Sequence, residues 1–312
     1  MFYFGIDVSR GKLDCAVVDE EGQRIKRART FSNDTQGIYE MIGWARAAAC
    51  EQTCCFVMEA TAAYHELAAT RLHCAGLVVS VVNPAQARCL AKGLGMLSKT
   101  DTIDALLLAQ YARLAKPRSW HPVAAQLQKF NAMLMRLDCL EADVRREQNR
   151  REQAIVRAAC ECVIESIDSC IAFLQSQCKT LRRAIDGHIQ VHADLRDDVA
   201  RIRTIPAVGE KTANRMAAIL TSYHFESAKE VAAFLGLVPV QRESGTSVRG
   251  RSRLSKAGNP RVRASLYMAA VVAKRSIQTS RLCTTGCALR ARRRCQPWAP
   301  ACASLCIFAM AL

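Results

Sequence analysis

FYFGIDVSRGKLDCAVV, residues 2–18, decides the fold of the first part of the chain. Two short runs rich in β-branched and aromatic residues, 2–8 and 13–18, flank a turn at residues 9–12 that contains Gly11, which is the pattern of a β-hairpin. Downstream, CFVME (55–59) and LVVSVV (77–82) predict a third and a fourth strand. Between them, Leu67, Ala68 and Leu72 recur at helical spacing over residues 64–74. Strands alternating with helices imply an α/β layer with a partly parallel sheet.

The carboxylates of this region fall at informative places. Asp7 ends the first strand in GIDVS, and Glu59 ends the third in VMEAT. Asp101 and Asp104 open an apolar helical run in KTDTIDA, three residues apart and hence on one helix face. Strand ends on one edge of a parallel sheet lie side by side, so the four could converge. Such a cluster is unfavourable unless divalent cations neutralise it. Mg²⁺ takes oxygen ligands and phosphate oxygens, and two such ions form a clamp for attack on a phosphodiester. Taken singly, an aspartate at a strand end is more often a turn former, and a D-x-x-D pair at a helix start more often a cap or dipole partner, than a metal ligand.

Pro117 and Pro122 mark a break. Residues 123–186 then run without Gly or Pro, and Leu127, Phe130, Leu134, Leu137, Val144 and Ile155 recur at helical spacing. One continuous helix of that length would span roughly 95 Å. A fold-back into a helical hairpin, or pairing with a second chain, is expected instead. Residues 202–220, IRTIPAVGEKTANRMAAIL, read as helix, tight turn and helix, with the turn at Pro206–Gly209. This is the pattern of a helix-hairpin-helix, which offers N–H groups at a helix N-terminus to nucleic-acid backbone; an ordinary αα-turn fits equally well.

Charge is distributed unevenly along the chain. The formal net charge is +16 over 312 residues, yet the 69 residues after Glu243 contain 13 basic residues and no carboxylate. Residues 1–243 therefore carry only +3. An acid-free basic stretch of that length calls for a polyanionic partner. Its centre, QRESGTSVRGRSRLSKAGNPRVR (241–263), holds Arg242, Arg249, Arg251, Arg253, Lys256, Arg261 and Arg263. Gly245, Gly250 and Gly258 permit close backbone approach to a ligand, and guanidinium groups suit phosphate. Ser244, Ser247, Ser252 and Ser255 are candidate phosphate donors, or one of them is a nucleophile stabilised by arginines. Chemistry alone does not choose among them.

Sixteen cysteines are present without a regular framework, and the N-terminus lacks a basic and apolar leader. A reduced, cytoplasmic, nucleic-acid-facing protein is expected, with no membrane span and no zinc site, because paired C-x2-C spacing is missing.

Seven stretches occur in order: GIDVSRGKLD, VMEAT, VVNPAQAR, KTDTIDA, IPAVGEKTA, FLGLVPVQRESGTSVRG and LSKAGNPRVRASLYMAA. Together, over about residues 3–278, they resemble the DEDD transposases of insertion-sequence family 110. The resemblance implies an RNase H/RuvC-like domain over 1–120, a helical coiled-coil linker over 121–198 and a serine transposase domain over 199–280. The fold class is thus α/β followed by all-α. It further implies a prokaryotic, nucleoid-associated site-specific DNA recombinase acting on donor and target DNA, directed, as at least some members are, by a structured noncoding guide RNA. A homo-oligomer, dimer or tetramer, is expected, because the acidic site and the serine are separated by a long helical segment. Asp7, Glu59, Asp101 and Asp104 match the family's metal-binding carboxylates, holding two Mg²⁺ ions, and Ser244 matches its nucleophile. The basic residues named above, with Gly209 and Lys211 of the hairpin-like turn, are expected to contact nucleic acid.

Residues 281–312 depart from the family pattern. Five cysteines, ARRRC and an apolar end suggest a shifted reading frame. Three rivals make distinct predictions. A sugar-kinase or actin-type ATPase needs a second phosphate hairpin and a Gly-rich adenosine loop, and neither is present. A RuvC-type junction resolvase would hydrolyse without a covalent step. An inactive nucleic-acid-binding remnant would bind RNA without strand exchange.

Overall fold

The computed structural model describes residues 1–50, 52–96, 98, 100–241, 243–244, 248–249 and 252–276; of 243, 244, 248, 249 and 274–276 it describes the backbone alone. The chain divides into two compact units at Pro122/Val123.

In the first unit, β1 (Phe2–Val8) and β2 (Lys12–Val18) form the expected hairpin, and β3 (Arg29–Ser32) extends it antiparallel. On the other side of β1 lie β4 (Cys54–Glu59) and β5 (Val78–Val82), both parallel, giving the order β3-β2-β1-β4-β5. The sheet is mixed, as the sequence predicts. Four helices accompany it: α1 (Thr35–Ala49), α2 (Tyr64–Cys74), α3 (Pro84–Gly93) and α4 (Asp101–Ala115).

The pleat sorts the side chains of β1 onto two faces. Phe4, Ile6 and Val8 join Phe56 and Met58 of β4 beneath α1 and α2, where Phe4 stacks on Phe56 at 4.8 Å and meets Trp44 edge-on at 5.8 Å. Tyr3 faces the other way, with Val57 of β4 and Leu108, Ala109 and Ala112 of α4. Gly5 shares that second face. A Cβ on Gly5 would lie 2.0 Å from the Ala105 carbonyl oxygen and 2.3 Å from the Ala109 nitrogen. Absence of a side chain there lets the α4 backbone lie directly on the sheet.

The second unit, from Val123 onward, opens with α5 (Ala125–Val156) and α6 (Glu161–Val191). The Gly- and Pro-free stretch folds back on itself, reversing at residues 157–160, where Ala158 is left-handed with φ 50°. Apolar burial concentrates at the base of this hairpin, in Phe130, Leu137 and Leu140 against Cys178, Ile185 and Ile189. Farther out, Arg151 grips Asp168 with two hydrogen bonds of 2.5 and 3.1 Å.

α7 (Ala193–Arg203) and α8 (Glu210–Ser222) pack on each other around the 206–209 turn, and α9 (Ala228–Phe234) follows. Two small ladders come next: β6 (Pro239–Val240) pairs with β9 (Arg253–Leu254), and within them β7 (Glu243–Ser244) pairs with β8 (Val248–Arg249). α10 (Pro260–Ser276) closes the described chain. Residues 277–312, and with them the atypical 281–312 segment, lie outside the described residues. No helix among the described residues is long and apolar enough to cross a membrane. The eleven cysteines of the described part are free thiols.

Candidate acidic site and basic hairpin

Ile6 pairs with Met58 in the parallel register, so Asp7 and Glu59 lie one residue beyond it, at the adjoining C-terminal ends of β1 and β4. Asp7 lies two residues along β1 from Gly5, on the same face. Asp104 directly precedes Ala105, whose carbonyl meets that glycine. Close contact at Gly5 therefore delivers the first turn of α4 to the strand ends. Thr100 caps this helix, its Oγ1 accepting from the Ile103 N–H at 3.3 Å. Asp101 and Asp104 are thus not needed as caps, although the helix dipole favours both.

Electrostatics record the convergence. The Asp7 carboxyl is pushed from 3.8 to about 6, by burial first and then by the charges of Asp104, Asp101, Glu59 and Asp14. All three other expected carboxylates act on Asp7, and a fifth joins them. Asp14 is the cross-strand partner of Asp7 in the hairpin, is buried, and accepts the Thr30 hydroxyl at 2.5 Å. The Lys12 ammonium lies 2.5 Å from Asp101 Oδ2 and 3.1 Å from Asp14 Oδ2. Hydrogen bonds to Asp101, then to Asp14, raise its pKa above the ordinary lysine value. Among the described residues, no three His, Cys, Asp or Glu side chains are drawn tightly enough together to enclose an ion as they stand. The donor set nevertheless suits a hard divalent cation: oxygen ligands only, with a mutual repulsion that added positive charge would relieve.

Asp14 and Lys12 do not stand out from residue type alone. The hairpin count held the signal: a turn at 9–12 places residue 14 opposite residue 7, and facing like charges are unfavourable without a cation nearby.

The basic segment is organised differently. Ser244 lies in β7, across from Val248 of β8, in a two-stranded ladder that falls between β6 and β9 in the chain. Arg242 and Arg251, and the side chains of Ser244 and Arg249, lie outside the described residues, as do Gly245, Ser247 and Gly250. Ser252 is buried, whereas Arg253 and Lys256 are exposed.

Other expected nucleic-acid contacts are engaged within the unit. Arg263 donates to the carbonyls of Leu235, at 3.3 Å, and Gly258. These brace the 234–237 turn against 256–258, where a Cβ on Gly258 would lie 2.2 Å from the Phe234 carbonyl oxygen. Lys211 is paired with Glu141 of α5, which also receives Arg182 at 2.9 Å. Arg261 is 3.8 Å from Asp138, whose other contact is Arg215 of α8. Arg215 in turn donates to Ser265 of α10 at 2.5 Å. Gly209 is the N-cap residue of α8, which begins at Glu210.

Residues 4–158 match a family model described as Transposase, and residues 199–283 match one described as Transposase IS116/IS110/IS902 family. A pilin gene-inverting protein of Moraxella lacunata is 30% identical over 273 residues, covering 86% of this chain and 82% of that protein. The chain belongs to the IS110 family of transposases. A pilin gene-inverting protein of Moraxella bovis matches the transposase with the same identity and coverage. Among solved structures, T. thermophilus RuvC in complex with Holliday junction substrate aligns with 38% of the transposase and 99% of its own length. That alignment has 16% identity and a TM-score of 0.26, too distant to carry an argument. Family membership makes this transposase a DNA recombination enzyme and removes the ATPase reading.

Proposed function

We propose that the transposase cuts and rejoins DNA through two cooperating parts, an RNase H-type acidic site on residues 1–120 and a serine module on residues 199–280, joined by the helical segment 121–198. The observation that carries the reading is the joint action of Asp104, Asp101 and Glu59 on Asp7, at the adjoining ends of two parallel strands. In this reading Asp7, Glu59, Asp101 and Asp104 hold divalent metal, Mg²⁺ by the hardness of the ligands, as two ions. Bound there, the metal supplies positive charge to a phosphodiester and to its leaving oxygen.

Ser244 is the nucleophile. Its oxygen attacks a DNA phosphorus, its proton is lost, and the displaced sugar oxygen leaves as a hydroxyl. The phosphoserine ester conserves the bond for a second strand, whose hydroxyl reverses the step. Arg242, Arg249, Arg251, Arg253 and Lys256 grip phosphates around the serine. Arg261, Arg263 and Lys211 serve chiefly to brace the module that presents it, as their intramolecular partners indicate. The α7–α8 turn, with Gly209 at the start of α8, offers backbone N–H groups to DNA or RNA in the manner of a helix-hairpin-helix.

Partners are donor and target DNA and a structured noncoding RNA that supplies sequence by base pairing. The active form is a homo-oligomer in which acidic site and serine come from different protomers, and it acts in the cytoplasm on nucleoid DNA. The Moraxella relatives are named for gene inversion, so inversion, excision and insertion are outcomes of one strand exchange. Ser244→Ala and Asp101→Asn each abolish excision and circle formation while RNA binding persists. Full recombination by either variant would overturn the assignment.

A further inference from the structure

Lys12 is an exposed lysine at the rim of an acidic cluster. It opens β2, and two residues on, in the same pleat direction, stands Asp14, buried and fixed by the Thr30 hydroxyl. From this anchor the ammonium reaches Asp101 at the start of α4. It thus ties an aspartate of the sheet to an aspartate of the helix, the lysine and Asp101 being 89 residues apart in sequence. Asp7 faces Asp14 in the register, and the ammonium pairs with two of the carboxylates that act on Asp7, namely Asp14 and Asp101. A lysine in such a place supplies a single positive charge on a flexible stem, strongly hydrated and readily moved.

We propose that Lys12 is a built-in counter-cation of the acidic site: it holds Asp101 against the sheet until a divalent ion arrives, then yields that carboxylate, and so sets the metal concentration at which the site loads. The inference rests on the reading of Asp7, Glu59, Asp101 and Asp104 as a metal centre. Asp14 is a positioning residue in this scheme, orienting Lys12 rather than ligating metal. A solvated ion pair with no link to metal loading is the competing account, since exposed pairs of this kind are individually weak. Deleting the charge separates the two. Coulomb repulsion between an ammonium and a divalent ion a few ångströms apart, screened by solvent, corresponds to on the order of tenfold in affinity.

The test is Mn²⁺ binding to the full-length protein, monitored by the paramagnetic resonance of free Mn²⁺, for the wild type, Lys12→Met, Lys12→Arg and Asp7→Asn. The expected result is a site weakened by Asp7→Asn, tightened about tenfold by Lys12→Met, and left near the wild-type affinity by Lys12→Arg. If the wild type shows no Asp7-dependent site, the metal-centre reading fails and takes this inference with it. If an Asp7-dependent site exists and Lys12→Met leaves its affinity unchanged or weaker, the role of Lys12 alone is overturned. Equal tightening by Lys12→Arg would also overturn it, because arginine keeps the charge.

Discussion

Asp7 is the residue on which the chemistry of the first unit converges, and its titration has a consequence for stability. Its carboxyl is raised to about 6 by burial and by four neighbouring carboxylates, so the folded chain binds this proton more tightly than the unfolded chain does. Between about pH 4 and 6 the folded state therefore holds more protons. Stability falls as pH rises through that window and stays lower above it. Asp7 is only half-buried, and solvent screening reduces the effect to about 1–2 kcal/mol. In metal-free buffer, the urea midpoint of Asp7→Asn should rise relative to that of the wild type from pH 4 to pH 6.5, leaving the variant the more stable protein above pH 6. Superimposable pH profiles for the two would mean that the carboxylates do not crowd Asp7.

At the scale of elements, one glycine fixes the site. Gly5 lets α4 touch β1 through backbone atoms, and neither the Ala105 carbonyl nor the Ala109 nitrogen can swing aside as a side chain would. Gly5→Ala should therefore displace α4 and cost about 3 kcal/mol or more, within the range for overpacked cores. Urea unfolding measures the cost, and loss of Asp7-dependent Mn²⁺ binding reports the displaced aspartates. A loss under about 1 kcal/mol would show that α4 does not rest on the strand as described.

Much of this arrangement is legible in the sequence. The alternation of FYFGIDV and LDCAVV about a Gly-containing turn sets the hairpin, and the placement of Asp7 and Glu59 at strand ends sets one edge of the site. β3 and α1 escape that reading, although Asp34 caps α1 by accepting from the Gly37 N–H at 2.8 Å. Ile38, Met41, Ile42 and Ala45 also recur at helical spacing. That signal is local and recoverable. The partners of Arg263, Lys211 and Arg215 are not, because each lies on another helix or turn, and a basic residue in a basic segment looks the same whether it grips phosphate or a carbonyl. Likewise Ser252 reads as a surface donor by composition and is buried by the fold around it.

At the scale of the whole molecule, charge and catalysis are segregated. The first 243 residues are nearly neutral and contain the carboxylates; the acid-free remainder, which begins at Ser244, carries +13. In the proposed reading, the metal site needs local negative charge and the DNA grip local positive charge, a conflict that placing them in separate segments removes. The second unit is internally braced for this task. Asp138, Arg215 and Ser265 tie α5, α8 and α10 together, and Glu141 gathers Arg182 and Lys211.

In the proposed reading, strand exchange passes through a bond between Ser244 and DNA. It is tested most directly by trapping that bond: the full-length protein with its RNA, Mg²⁺ and end-labelled element DNA, quenched in denaturant and resolved by denaturing electrophoresis. The account predicts a protease-sensitive protein–DNA adduct for the wild type and none for Ser244→Ala or Asp7→Asn. An adduct that persists in Ser244→Ala, or strand exchange completed by that variant, would contradict it.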